Sequence, residues 1–259
     1  MSLTYLTTYK VFLAFRPGLS AAAAEPLKPA LIYEPMDFDV TVPTPLCHIM
    51  GHFGSDKGHS QILRSRHNYT TLYHHLFNTM RDQPIRLFEL GLGTNNVSVP
   101  SNMGPDGRPG ASLLGWREYF PKGQIYGADI DKEILFISDR IDTFYCDQTS
   151  PESIAALWKE PGLEQGFDII IEDGLHTFSA NVCFFKHSIH KLNAGGYYIV
   201  EDISKADIPA FEEAIGVWKE EYPHTFTLLT LPSTVNTWDN SVLIVKAEAK
   251  ESNYLDAYR

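Results

Sequence analysis

Carboxylates at the ends of apolar runs are the first residues of this chain that could do chemistry. Glu89 stands at the end of Ile85–Leu90, Asp129 closes Gln124–Ala128, and Asp147 closes Asp142–Cys146. At the carboxyl edge of a parallel sheet, such acids accept hydrogen bonds from ribose hydroxyls or an adenine amino group and repel a pyrophosphate. Three in succession predict a pocket for a cationic nucleoside, although any one alone is an ordinary helix cap. Gly91 and Gly93 follow Glu89 at once, and small residues there let the backbone turn sharply and approach a ligand. The pattern departs from a nicotinamide site. Asn96 replaces the third glycine of that fingerprint, and Asp129 lies 36 residues beyond Gly93, where the fingerprint places its acid at about 20.

A second group lies further on. One apolar run ends Glu172-Asp173-Gly174-Leu175-His176 and the next ends Glu201-Asp202. Neighbouring strands would bring Asp173, Glu201 and Asp202 to one edge, where three carboxylates repel unless a cation shares them. Oxygen ligands point to a hard ion such as Mg²⁺, and two capping acids with a solvated pair are the plainer alternative. Residues 201 and 202 face opposite sides of a regular strand, so the chain has to be turning there. His176, three residues past Asp173, could take a proton from a hydroxyl near neutral pH. The other nine histidines carry no catalytic expectation from spacing.

These residues need elements to position them. Strand-type runs occur at 85–90, 124–128, 142–146, 167–171 and 197–200, with helical patterns at 112–119, 132–138, 152–159 and 180–191. A further helix is expected at 69–80. Apolar strands alternating with helices predict a parallel sheet covered on both faces. The tail reads as a helix over 208–221, then β runs at 224–231 and 241–246 joined by a loop too short for a crossover, hence an antiparallel pair. The expected fold is α/β, a doubly wound, mostly parallel sheet of seven strands. Residues 1–45, with prolines at 17, 26, 29, 35, 43 and 45, predict an irregular arm before a domain spanning 46–259.

Composition narrows the partners. Of 259 residues 44% are hydrophobic and 20% charged, enough for a packed core, and no run is apolar enough to span a bilayer. The formal charge of −11 and the lack of a basic cluster argue against nucleic acid. Three scattered cysteines suit a reducing cytoplasm. Arg16 and Pro17 interrupt the apolar stretch near the N-terminus too early for a signal peptide.

The Glu-x-Gly-x-Gly strand end, the strand-end acids and the final antiparallel pair resemble class I S-adenosylmethionine-dependent methyltransferases. Ser55-Asp56-Lys57-Gly58, the helix with Tyr69 and Tyr73, Trp116-Arg117-Glu118-Tyr119-Phe120-Pro121, Glu172–His176 and Glu201-Asp202 are similar to a narrower group. That group holds metal-dependent sugar O-methyltransferases of macrolide biosynthesis and cephalosporin hydroxylase-like proteins. The resemblance covers about residues 50–205 and implies Asp173, Glu201 and Asp202 as Mg²⁺ ligands and His176 as general base. It also implies Glu89, Gly91, Gly93, Asp129, Asp147, Gln148 and Asp173 around S-adenosylmethionine, with Asp56 and Lys57 in a segment over the cofactor. The expected activity is methyl transfer to a hydroxyl of a sugar or other natural product by a homo-oligomer. The alternative is an accessory protein that binds the cofactor without transfer of its own.

Overall fold

The computed structural model describes residues 39, 42–58, 67–233 and 236–248, all within a compact unit spanning Leu31–Arg259. Nearly all of the expected N-terminal arm lies outside the described residues. Helix α1 (Pro45–Phe53) is a feature the sequence reading missed. Proline is welcome at the first helical position, where its lost N–H has no partner anyway. Thr44 caps the helix by accepting the Cys47 N–H. A proline-rich stretch therefore ends by starting a helix.

Helix α2 (Tyr69–Phe77) precedes β1 (Arg86–Leu90). The alternation continues through α3 (Ala111–Tyr119), β2 (Gln124–Asp129), β3 (Ile137–Ser138), β4 (Ile141–Tyr145), α4 (Pro151–Leu157) and β5 (Phe167–Glu172). It closes with α5 (Phe178–Ser188), β6 (Leu192–Ile203), α6 (Ile208–Glu221), β7 (His224–Thr230) and β8 (Ser241–Ala247). The sheet has eight strands in the order β3-β4-β2-β1-β5-β6-β8-β7. Strands β4, β2, β1, β5 and β6 are parallel, whereas β8 runs antiparallel to both β6 and β7. The eighth strand corrects the expected seven. Residues 132–138 form a short 3₁₀ turn (Lys132–Ile134) and the two-residue edge strand β3, antiparallel to β4, where a helix was expected.

Strand residues alternate between two cores, as the period of two requires. Leu87, Ile125, Ile169 and Ile199 pack under α1, α2 and α3 with Met50, Tyr73 and Trp116. Phe88, Tyr126, Ile170 and Tyr198 face α4, α5 and α6 with Ile154, Phe184 and Trp218. Glu89 and Glu201 share the parity of the first set, and Glu172 shares that of the second. This alternation sorts the acids of the site.

Candidate active site

The carboxyl ends of β1, β2, β4 and β5 border one cavity of about 1220 Å³. Single small-molecule pockets run about 300–1,000 Å³, so this one has room for more than a nucleoside. Glu89, Gly91, Gly93, Asp129, Asp147 and Gln148 all line it, as do Asp56, Lys57, Asp173, His176 and Asp202. Glu201 is buried beside it and is not part of its wall.

The turn after β1 brings three strand ends together. Gly91 donates its N–H to Ala128, and Asp173 donates its own to Leu90, each at 2.8 Å. Gly91 has φ +90, and a Cβ there would lie 1.9 Å from the Asp173 carbonyl oxygen. Only glycine permits that approach. Asp129 accepts the N–H groups of Leu92 at 2.7 Å and Asp131 at 2.8 Å. Burial raises its pKa, and those two bonds offset part of the rise. Its carboxylate thus orders the loops that a ribose would meet. Asp147 accepts from Thr149, and Gln148 joins the Glu172 carboxylate at 2.9 Å to the Leu175 N–H at 2.6 Å.

A buried lysine organises the acids on the α1–α3 side. The Lys57 ammonium, with its side chain 3% exposed, donates to Asp173, lies 2.5 Å from Glu201 Oε2 and is 3.7 Å from Glu89 Oε1. Burial would lower its pKa, but the charges of Asp173, Glu201 and Glu89 outweigh that and hold it well above the usual lysine value. Glu201 also accepts from the Tyr73 hydroxyl, and Glu89 accepts from Ser112 and Trp116, each at 2.5 Å. Both glutamates are therefore fully engaged within the fold.

Asp173, His176 and Asp202 converge on the cavity side. Among the described residues, each offers a ligand atom within 4.8 Å of the others. His176 Nε2 is 3.1 Å from Asp173 Oδ1, and Nδ1 is 3.6 Å from Asp202 Oδ2. Burial would lower the imidazole pKa, but the Asp173 bond and the charges of Asp202, Asp173 and Glu172 push it up to about 10. Asp173 is opposed by burial as well, yet Lys57 and His176 hold it well below the usual carboxylate range. Two carboxylates and an imidazole fit a divalent cation, and the expected trio of Asp173, Glu201 and Asp202 is drawn together only in part. Strand parity turns Glu201 onto Lys57, and the left-handed backbone at Asp202, φ 53, swings only the Asp202 carboxylate to the cavity.

Four non-glycine residues among those described have positive φ: Ser101, Arg140, His176 and Asp202. Three of them line the cavity. Side chains are strained in that region, and such strain persists where surrounding contacts over-determine it. Sequence reasoning also missed several partners. Tyr69 donates its hydroxyl to Asp202 at 2.6 Å, and His67 Nδ1 lies 3.3 Å from the same oxygen. The β7–β8 loop reaches the same point through Asn236, 3.3 Å from His67, and through the Asp239 carbonyl, which accepts from Tyr69 at 3.1 Å. Trp238, 66% exposed, lines the cavity beside them. No local periodicity marks any of these.

A sheet with its reversed β8 beside β6 and an acid-lined cavity at its carboxyl edge defines the class I methyltransferase fold. MycE, a methyltransferase from the mycinamycin biosynthetic pathway solved with Mg and SAH, matches with a TM-score of 0.60 at 24% identity, covering 82% of this chain and 57% of that one. No family model matches the chain. By sequence it is 34% identical over 145 residues to 8-demethyl-8-(2-methoxy-alpha-L-rhamnosyl)-tetracenomycin-C 3'-O-methyltransferase of Streptomyces olivaceus. It is 32% identical over 145 residues to mycinamicin VI 2''-O-methyltransferase of Micromonospora griseorubida. Each match covers 56% of this chain, and the chain spans only 34% of either relative.

Proposed function

We propose that this chain is the catalytic part of an S-adenosylmethionine-dependent O-methyltransferase whose acceptor is a sugar hydroxyl on a natural-product glycoside. The observation that carries this reading is a single cavity lined both by the strand-end acids Glu89, Asp129 and Asp147 and by the Asp173–His176–Asp202 cluster. In this reading Asp173 and Asp202 hold Mg²⁺, with Glu201 behind them, and Glu89, Gly91, Gly93, Asp129, Asp147 and Gln148 surround the cofactor. Bound there, the two groups would supply an electrophilic methyl on a sulfonium and a charge that lowers the pKa of the acceptor hydroxyl.

The chain's own residues do the rest. Asp129 and Asp147 orient the ribose, and the turn at Gly91 lets the cofactor approach the strand ends. Lys57 offsets part of the charge of Glu89, Asp173 and Glu201 and helps to keep Asp173 ionised, whereas burial still raises the pKa of Glu201 and Glu89. His176 takes the hydroxyl proton at a ring nitrogen. It can do so only when its carboxylate neighbours are drawn to another cation, because otherwise both nitrogens face acids and the ring stays protonated.

Methyl transfer from labelled S-adenosylmethionine to a panel of rhamnosides and related glycosides, with and without EDTA, tests the proposal. Transfer that EDTA abolishes and Mg²⁺ restores is expected. Full activity in metal-stripped protein would remove the metal from the reading. Cofactor binding with no transfer to any glycoside would favour the accessory-protein alternative.

A further inference from the structure

Among the described residues the cavity wall carries eight carboxylates and two permanent cations, Lys57 and Arg108. Lys57 is committed to Asp173, Glu201 and Glu89. The Arg108 guanidinium makes no hydrogen bond or ion pair with any described residue. Its placement is nevertheless specific, because the side chain lies across the bare face of Gly54, at the C-terminal cap of α1. A Cβ on Gly54 would fall 2.7 Å from Arg108 Cδ and 3.1 Å from Nε. The left-handed backbone at Gly54, φ +85, keeps that bed open.

The ligand of the proposed reading has a matching need. Its sulfonium and ammonium groups suit an acid-rich wall, whereas its carboxylate is repelled there unless a cation meets it. We infer that Arg108, laid over Gly54, binds the carboxylate at the amino-acid end of the cofactor. A planar guanidinium offers a carboxylate two parallel N–H donors, which a lysine cannot reproduce. The ligand's ammonium would be repelled by Arg108, so any binding energy this residue adds at that end comes from the carboxylate.

This inference rests on the cofactor reading, and one set of calorimetric titrations separates the two. S-adenosylhomocysteine keeps the amino-acid end, and 5'-methylthioadenosine has the same nucleoside without it. Arg108→Ala should weaken S-adenosylhomocysteine roughly ten- to hundredfold, the worth of a charged hydrogen bond. It should leave 5'-methylthioadenosine within about twofold. Arg108→Lys should fall between wild type and Arg108→Ala. Because Arg108 is exposed, the variants should keep the wild-type circular dichroism and melting temperature. Gly54→Ala, which displaces the same side chain, should repeat the selective loss if it folds. Equal losses for both ligands, or no loss for either, would overturn the assignment in favour of a charge that merely faces the end of α1. Wild-type protein that binds neither ligand would instead overturn the cofactor reading, and the inference with it.

Discussion

At the scale of single residues, the state of His176 controls what the site can do. Its side chain is 26% exposed, yet its pKa is pushed up to about 10 by acids on both sides. An unfolded histidine titrates near 6.5. The folded value is the higher one, so this group's contribution to stability is complete below about 6.5 and is lost as pH rises through about 10. Metal-free protein should therefore lose stability over that window, and His176→Gln should show a shallower fall in melting temperature. Nitrogen NMR of the ring should give a titration near 10 without metal and a lower one with Mg²⁺. A ring titrating near 6.5 without metal would show that the two acids do not hold its proton. In the active protein, His176→Ala should cost on the order of 10²–10⁴ in rate, as loss of a general base does. The type and spacing of Asp173 and His176 were legible in the sequence. The meeting of Asp173 with Asp202 at one edge was legible too, but the placement of the ring between the two carboxylates was not, because it depends on the left-handed turns at His176 and Asp202.

At the scale of elements, the end of β6 does the sorting. Strand parity sends Glu201 toward Tyr73 and Lys57, and the left-handed turn at Asp202 then swings the next carboxylate to the cavity. That backbone state is ordinarily strained by about 1–2 kcal/mol for a residue with a Cβ. Asp202→Gly and Asp202→Ala both remove the carboxylate, but only glycine removes the strain. Asp202→Gly should therefore melt above Asp202→Ala, by an amount equivalent to about 1–2 kcal/mol. Equal melting temperatures would place the strain elsewhere. The turn itself was readable, since two adjacent acids cannot both face one side of a regular strand. The 132–138 segment was not readable, because short apolar runs suit a helix or a strand equally well. Its outcome depended on the open edge of β4.

At the scale of the whole molecule, assembly has a direct test. The N-terminal segment combines prolines with Leu31, Ile32, Tyr33, Met36 and Phe38, a composition suited to covering a surface. We expect a homo-oligomer to which this segment contributes. A truncation beginning at Val42 keeps the Thr44 cap of α1 intact. Light scattering should show a smaller assembly for it than for the full chain. An unchanged mass with unchanged methyl transfer would remove the idea. No helix among the described residues is long and apolar enough to cross a membrane.

Local pattern was enough to determine the alternation of strands and helices, the acids at successive strand ends, the glycine turn after β1 and the antiparallel close of the sheet. Each of these is written in residues a few positions apart, where periodicity and turn chemistry act. Tertiary structure alone decided which partners hold the acids. Lys57 reaches Asp173 and Glu201 across 116 and 144 positions, and Tyr69 reaches Asp202 across 133. Asn236 joins His67 across 169. Such pairings depend on strand order and on the path of each crossover, and side-chain periodicity carries no record of either. The same holds for Arg108, an ordinary loop arginine in the sequence, which the cap of α1 turns into a cation on the cavity wall.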